Sequence, residues 1–244
     1  MGDTESRRLE RAREVHAVEH EEDMLRRAPL FEALDDEETK ALRAGVTDVE
    51  LARGDRLFDE GDAGDRLYVV LDGKIKLTRT AGDGRENLIS LIGPGEMFGE
   101  LSLFDPRPRT MGASAVTDVR LAALAHDDLR TWLTAHPDVA MHLLAALARR
   151  LRRTNEVMSD LVFTDVPGRV AKALLDLAAR FGTQQEDGLQ VNHDLTQEEL
   201  AQLVGASRET VNKALADFVA RGWIQLQPKS VLLLDPERLR KRAR

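Results

Sequence analysis

LTQEELAQLVGASRETVNKALADF, residues 195–218, packs two helix starts and one tight turn into a single short stretch. Thr196 with Glu199 makes a capping box, in which each residue's side chain satisfies a backbone N–H of the other. Ala201 is small where two helices would cross closely, and Gly205 supplies the backbone freedom of a tight turn. Ser207 is then a good N-cap for a second helix. Leu200, Leu203, Val204, Val211, Leu215 and Phe218 fall on one side as a shared core, which leaves Arg208, Glu209, Asn212 and Lys213 on the outer face. The pattern predicts a helix-turn-helix.

Downstream, 223–226 and 231–234 are two short apolar runs around Gln227-Pro228-Lys229-Ser230, which predicts a terminal hairpin, the wing. From residue 206 to 244 there are nine basic and four acidic residues, although the whole chain carries a net charge of -8. An acidic body with a basic C-terminal face fits phosphate contact at one end. The basic run 238–244 taken alone reads equally well as a solvated tail. On a recognition helix the N-terminal residues meet base edges: Arg208 suits guanine O6 and N7, and Glu209 suits a cytosine amine. The candidate DNA-binding set is therefore Thr196, Ser207, Arg208, Glu209, Thr210, Asn212 and Lys213, with G·C pairs expected in the half-site; without the surrounding motif, Arg208 and Glu209 would be an ordinary helix start.

Upstream, Pro167 suits the first turn of a helix running to about Phe181, and 182–188 reads as a polar loop. Before the junction at 163–167, a long helix is predicted from about 136 to 163. Its apolar positions Ala140, Leu144, Leu147, Leu151, Met158 and Leu161 follow the alternating four-three spacing of a coiled-coil seam. Such a seam can bury against the same helix of a second chain or against its own β-domain. Thr154 falls on the seam, where a polar residue needs a partner.

From Val46 to about Leu124 the texture changes to short β-rich runs punctuated by glycines, which points to an antiparallel sandwich or roll. Within it, GEMFGELSLFDPRPRT (95–110) combines Gly99, where backbone N–H groups could approach an anion, with Glu100, an acceptor suited to a ribose hydroxyl, and Arg109, a fixed cation suited to a phosphate. Singly, Glu100 and Arg109 also read as a surface ion pair. Residues 24–45 look like a short helical lead-in, and 1–23 like a charged extension.

The chain has 244 residues, 42% of them hydrophobic, enough for two cores. Its zero cysteines exclude a disulfide framework, thiolate metal sites and a cysteine nucleophile. No apolar run approaches the roughly 18–20 residues of a membrane span, and 1–23 lacks a signal-peptide core, so a soluble cytoplasmic protein without membrane attachment is expected. The histidines show no metal-binding spacing, and there is no P-loop, nucleophile elbow or HExxH string, so neither a metal site nor an enzyme is expected.

Four strings, GEMFGELSLFDPRPRT (95–110), ARRLRRTNE (148–156), FTDVPGR (163–169) and LTQEELAQLVGASRETVNKAL (195–215), resemble the CRP/FNR family of transcription regulators, in its actinobacterial cAMP-receptor branch, over nearly all of residues 24–244. The resemblance implies an α+β fold: a cyclic-nucleotide-binding β-roll, jelly-roll-like, over 24–135, a dimerisation helix over 136–163, and a winged helix-turn-helix over 164–244. It implies that Gly99, Glu100, Arg109 and Thr110 hold the ribose and cyclic phosphate of cAMP, with Arg150 close by. Thr154, with Asn155 of the partner subunit, would meet adenine across a homodimer. It further implies a palindromic DNA site with TGTGA-like half-sites and RNA polymerase as a partner. Two positions depart from parts of the family: the enteric branch has serine where Asn155 stands, and Thr110 resembles the residue that favours cGMP in some eukaryotic cyclic-nucleotide domains. The absence of cysteine speaks against the oxygen-sensing FNR branch. Other effectors, and a cyclic-nucleotide-binding subunit acting through a protein partner, remain alternatives.

Overall fold

A computed structural model describes residues 24–29, 31, 34–82 and 84–243; the charged extension expected over 1–23 lies outside the described residues. The chain divides into two units, Met1–Ile75 with Ile92–Leu147 and Lys76–Leu91 with Ala148–Arg244.

In the first unit, α1 (Asp36–Ala44) lies within the expected helical lead-in: the Asp35 carboxylate accepts from Glu38 N at 2.8 Å, and the Glu38 carboxylate accepts from Asp35 N at 3.0 Å. The four-stranded sheet has the order β1 (Thr47–Leu51), β8 (Val119–Ala125), β3 (Arg66–Asp72), β6 (Met97–Phe98), with antiparallel pairing throughout. The run Leu67-Tyr68-Val69-Val70-Leu71 is buried along its whole length rather than alternately, because β3 is covered on both faces. Leu67 stands opposite Leu124 and Val69 opposite Ala122. One face packs with Leu103, with Leu129 of α3 (His126–Ala135) and with Val139 and Leu143 into a continuous core. A short strand β2 (Arg56–Phe58) pairs with β7 (Gly112–Ala115), and a one-turn helix, α2 (Leu101–Phe104), follows β6.

Helix α4 (Pro137–Phe163) fills the span predicted for the long helix. The second unit holds its C-terminal part, the neighbouring strands β4 (Ile75–Thr80) and β5 (Glu86–Ile92) over most of their length, and α5 (Val166–Phe181) with Pro167 in its first turn. Asp165 caps α5, accepting from Gly168 N at 2.9 Å. A four-stranded sheet follows in the order β11 (Ile224–Gln227), β12 (Ser230–Leu233), β10 (Gly188–Asn192), β9 (Gly182–Gln185). The predicted wing is β11–β12. The 182–188 segment differs from its reading as a loop: 182–185 form an edge strand with every side chain exposed, so no apolar alternation marks it. The basic tail is also ordered, as α8 (Pro236–Arg242), anchored by the buried Leu239 and by Arg242 donating to the Asp165 carboxylate. Among the described residues, no helix is long and apolar enough to cross a membrane.

Candidate ligand cassette and nucleic-acid interface

The stretch 95–110 folds around one buried cation. Strand β6 ends at Phe98, and Gly99 turns the chain with φ +84°; a Cβ there would stand 2.7 Å from Arg109 Nη1 and 2.9 Å from the Arg66 carbonyl. Only glycine combines that backbone with so close an approach. Arg109 Nη1 donates to Gly99 O at 3.1 Å and to Ser102 Oγ at 3.3 Å, and Nη2 donates to Arg66 O at 2.8 Å. The guanidinium lies 4.4 Å from the Phe58 ring centroid, a cation–π contact. Backbone bonds fix the same residue: Arg109 N donates to Asp62 O at 2.7 Å, and Gly61 N donates to Arg109 O at 2.8 Å. Arg109 is 6% exposed and Glu100, the residue ahead of α2, 1%. The surface-ion-pair reading of these two therefore fails. Thr110 is exposed beside them.

Arg109 Nε is buried without a hydrogen-bond partner. A donor on a buried, anchored guanidinium, held where its other nitrogens are already committed, suits a phosphate oxygen. Burial pushes the Arg109 guanidinium below its usual value, while Tyr68, Asp65, Glu100 and Asp62 pull it back up. Burial also raises the Tyr68 phenol, against the lowering effect of Arg109. Among the described residues, no cluster of three or more histidine, aspartate or glutamate side chains could hold a metal ion.

At the other predicted site, α6 (Gln197–Val204) begins with the expected capping box: Thr196 N donates to Glu199 Oε2 at 2.8 Å, and Glu199 N donates to Thr196 Oγ1 at 3.2 Å. Gly205 ends it in the left-handed region, φ +71°. Ser207 caps α7 (Arg208–Ala220), accepting from Thr210 N at 3.3 Å, and its hydroxyl lies 2.8 Å from the Thr210 hydroxyl. Leu200, Val204, Val211, Leu215 and Phe218 are buried, and Leu203 half-buried. Arg208, Glu209, Thr210 and Lys213 are exposed, with Lys213 Nζ 2.8 Å from Glu209 Oε1 one turn away. Asn212 differs from the rest of the outer face: it is half-buried, and its Nδ2 donates to Gln197 Oε1 at 3.2 Å, so it ties the two helices together.

The family model for the cyclic nucleotide-binding domain matches residues 48–136, and that for the Crp-like helix-turn-helix domain matches 168–242. A Mycobacterium tuberculosis protein named as a CRP-like cAMP-activated global transcriptional regulator is 56% identical over 223 residues, covering 91% of this chain and 100% of that one. The chain belongs to the CRP/FNR family. A Thermus thermophilus member, named as a cyclic AMP receptor protein, is 38% identical over 84% of this chain and 91% of its own. The structure of the family's Thermus thermophilus catabolite activator protein superposes with TM-score 0.52 at 37% identity, covering 88% of this chain and 98% of that one. A Xanthomonas campestris regulator described as c-di-GMP responsive superposes with TM-score 0.70 at 27% identity, covering 82% and 99%. The family's regulators are not enzymes, and the α+β architecture of this CRP/FNR chain is the one its sequence implies.

On α4 of this CRP/FNR protein, Leu144, Leu151, Met158 and Leu161 are 53%, 62%, 61% and 49% exposed, while Val139 and Leu143 on another face belong to the core. Thr154 and Asn155 are exposed on the same helix, and Thr154 Oγ1 donates to Arg150 O at 3.0 Å. The structure brings Gly99, Glu100 and Arg109 together; Arg150, Thr154 and Asn155 belong to the part of α4 grouped with the second unit. Sequence reasoning missed Ser102, Phe58 and Arg66, which anchor Arg109, although Ser102 sits inside the quoted motif. It also missed Arg169, whose guanidinium donates to Thr164 O at 2.8 Å and to Val204 O and Gly205 O at 3.1 Å each, tying the helix-turn-helix turn to the junction ahead of α5.

Proposed function

We propose that this protein is a cAMP-responsive transcription regulator that binds a palindromic DNA site as a homodimer. The observation that carries the reading is the buried, anchored Arg109 with a partnerless Nε–H, in a chain that also presents an exposed recognition-helix start at Arg208. In this reading Gly99, Arg109 and Thr110 hold the cyclic phosphate and Glu100 accepts from the ribose. Arg150 lies near the ligand, and Thr154, with Asn155 of the partner subunit, meets adenine. The exposed α4 stripe supports a parallel helix pair, since an apolar seam of that kind is stable only when covered. The cassette domain spans 24–135, the dimer helix 136–163 and the DNA-binding domain 164–244. Ligand at the helix pair biases the junction at 163–165, and with it the spacing of the two recognition helices toward about one turn of DNA, roughly 34–36 Å.

Arg208 and Glu209 read G·C pairs of TGTGA-like half-sites, Thr196, Ser207, Thr210 and Lys213 reach phosphates, and Asn212 supports the helix pair. RNA polymerase is the downstream partner. The M. tuberculosis and T. thermophilus relatives named for cAMP support that effector, whereas Thr110 favours cGMP as the second reading. Calorimetric titration of the purified protein with cAMP and with cGMP decides between them. One cAMP per chain with weaker cGMP binding is expected; tighter cGMP binding selects the second reading, and binding of neither removes the cyclic-nucleotide assignment.

A further inference from the structure

Two bare α-carbons flank the Arg109 guanidinium. One is Gly99; the other is Gly64, in the loop between β2 and β3. A Cβ on Gly64 would stand 2.2 Å from Ser102 Oγ, 2.6 Å from Ser102 Cβ and 3.3 Å from Arg109 Cζ. Unlike Gly61 and Gly99, Gly64 lies outside the left-handed region, so its position calls for room rather than for glycine's backbone freedom. Ser102 fills that room. It is 8% exposed, and its hydroxyl accepts from Arg109 Nη1 at 3.3 Å and donates to Gly99 O at 3.5 Å.

We propose that Gly64 is a positioning residue of the anion site: the side chain it lacks leaves the slot in which Ser102 stands to hold the Arg109 guanidinium. The inference rests on the cyclic-nucleotide reading above. Positions 64 and 102 share one slot, and at interior packing density a side chain on one excludes a side chain on the other. Neither neighbour yields cheaply. The Ser102 Cβ is fixed to the backbone of α2, so no change of rotamer moves it. The loop that carries Gly64 is tied down by Asp65 O, which accepts from His126 N at 2.8 Å. The same loop holds the Arg109 backbone, since Asp62 O accepts from Arg109 N and Gly61 N donates to Arg109 O. A Cβ at 64 therefore displaces the loop, and with it the Arg109 backbone, or displaces α2, and with it the Ser102 hydroxyl. Either route re-aims the guanidinium whose partnerless Nε–H is offered to the phosphate.

The test is calorimetry of cAMP binding to the full-length protein, with thermal melts of the nucleotide-free variants to separate misplacement from unfolding. Gly64→Ala should weaken binding roughly tenfold or more, the scale of one hydrogen bond to a charged group, while its melt stays close to the wild type. Ser102→Gly withdraws one acceptor without crowding the slot and should weaken binding less. Combined, the two substitutions give residue 64 the space that residue 102 vacates, and the double variant should return to within about threefold of Ser102→Gly, the non-additivity of neighbours that share a cavity. Gly64→Ala binding within about threefold of the wild type, or a double variant no tighter than Gly64→Ala, overturns the inference and leaves the pocket reading intact. If Gly64→Ala alone does not fold, the double variant decides: folded and binding like Ser102→Gly it supports the shared slot, and unfolded or binding more weakly it overturns it. Absence of any cAMP binding by the wild type overturns the pocket reading and this inference together.

Discussion

Replacing Arg109 with leucine separates ligand recognition from folding. The guanidinium makes three anchoring hydrogen bonds, to Gly99 O, Ser102 Oγ and Arg66 O, and stacks on Phe58. Leucine keeps an apolar stem against Phe58 but withdraws the donors, a loss of about 1–3 kcal/mol if the carbonyls find no water. Removing a desolvated cation returns a comparable amount, since a buried charge without its partner is itself unfavourable. Stability of the ligand-free protein should therefore change little. Ligand binding should not escape: truncating one side of a buried, hydrogen-bonded charge pair costs about 2–5 kcal/mol, which weakens cAMP binding roughly 30- to 4,000-fold. Calorimetry for affinity and a thermal melt without nucleotide read the two effects separately. A variant that melts like the wild type and still binds cAMP within about threefold of it would refute the role given to Arg109.

Arg208→Ala should lose about 1–3 kcal/mol of discrimination at one base pair of the half-site; competition binding with single-base variants of the duplex checks this, and an unchanged ranking of bases contradicts it. Leu144→Asp with Leu151→Asp places charge on the exposed α4 stripe and should convert a dimer to monomers in sedimentation equilibrium; a persistent dimer would move the interface elsewhere. Asp165→Ala removes the α5 cap, at about 0.5–1 kcal/mol, measured by urea denaturation. The Arg242 side chain first, then the Gly168 N–H, holds the Asp165 carboxyl below its usual value. Its contribution is therefore full above about pH 4 and is lost as pH falls through that lowered value. The stability gap between wild type and Asp165→Ala should close in acid, and a gap that widens there would contradict the assignment.

How far the sequence reaches depends on whether a signal is local. The α6–α7 pair is legible because its caps and turn, Thr196 with Glu199, Gly205 and Ser207, act within four residues of themselves. The seam of α4 is legible as a period, but a period does not name the surface that covers it. Strand β9 escapes because Gly182-Thr183-Gln184-Gln185 has no buried side to leave a pattern, and α8 because one buried leucine, Leu239, makes no repeat. In the cassette, 95–110 announces Gly99, Glu100 and Arg109 by residue type. Phe58 reaches the same cation through β2, paired with β7, and Arg66 through β3, paired with β6 and β8, registers that no local spacing encodes. Asn212 read as an outward residue by periodicity, and turned partly inward because Gln197 offers it an acceptor across the turn.

The most direct measurement is a titration of a labelled duplex carrying a TGTGA-type palindrome with the purified protein, at fixed salt, alone and with saturating cAMP or cGMP. Specific binding should tighten with cAMP and not with cGMP. Equal affinity for the palindrome with and without cAMP would contradict a cAMP-responsive regulator.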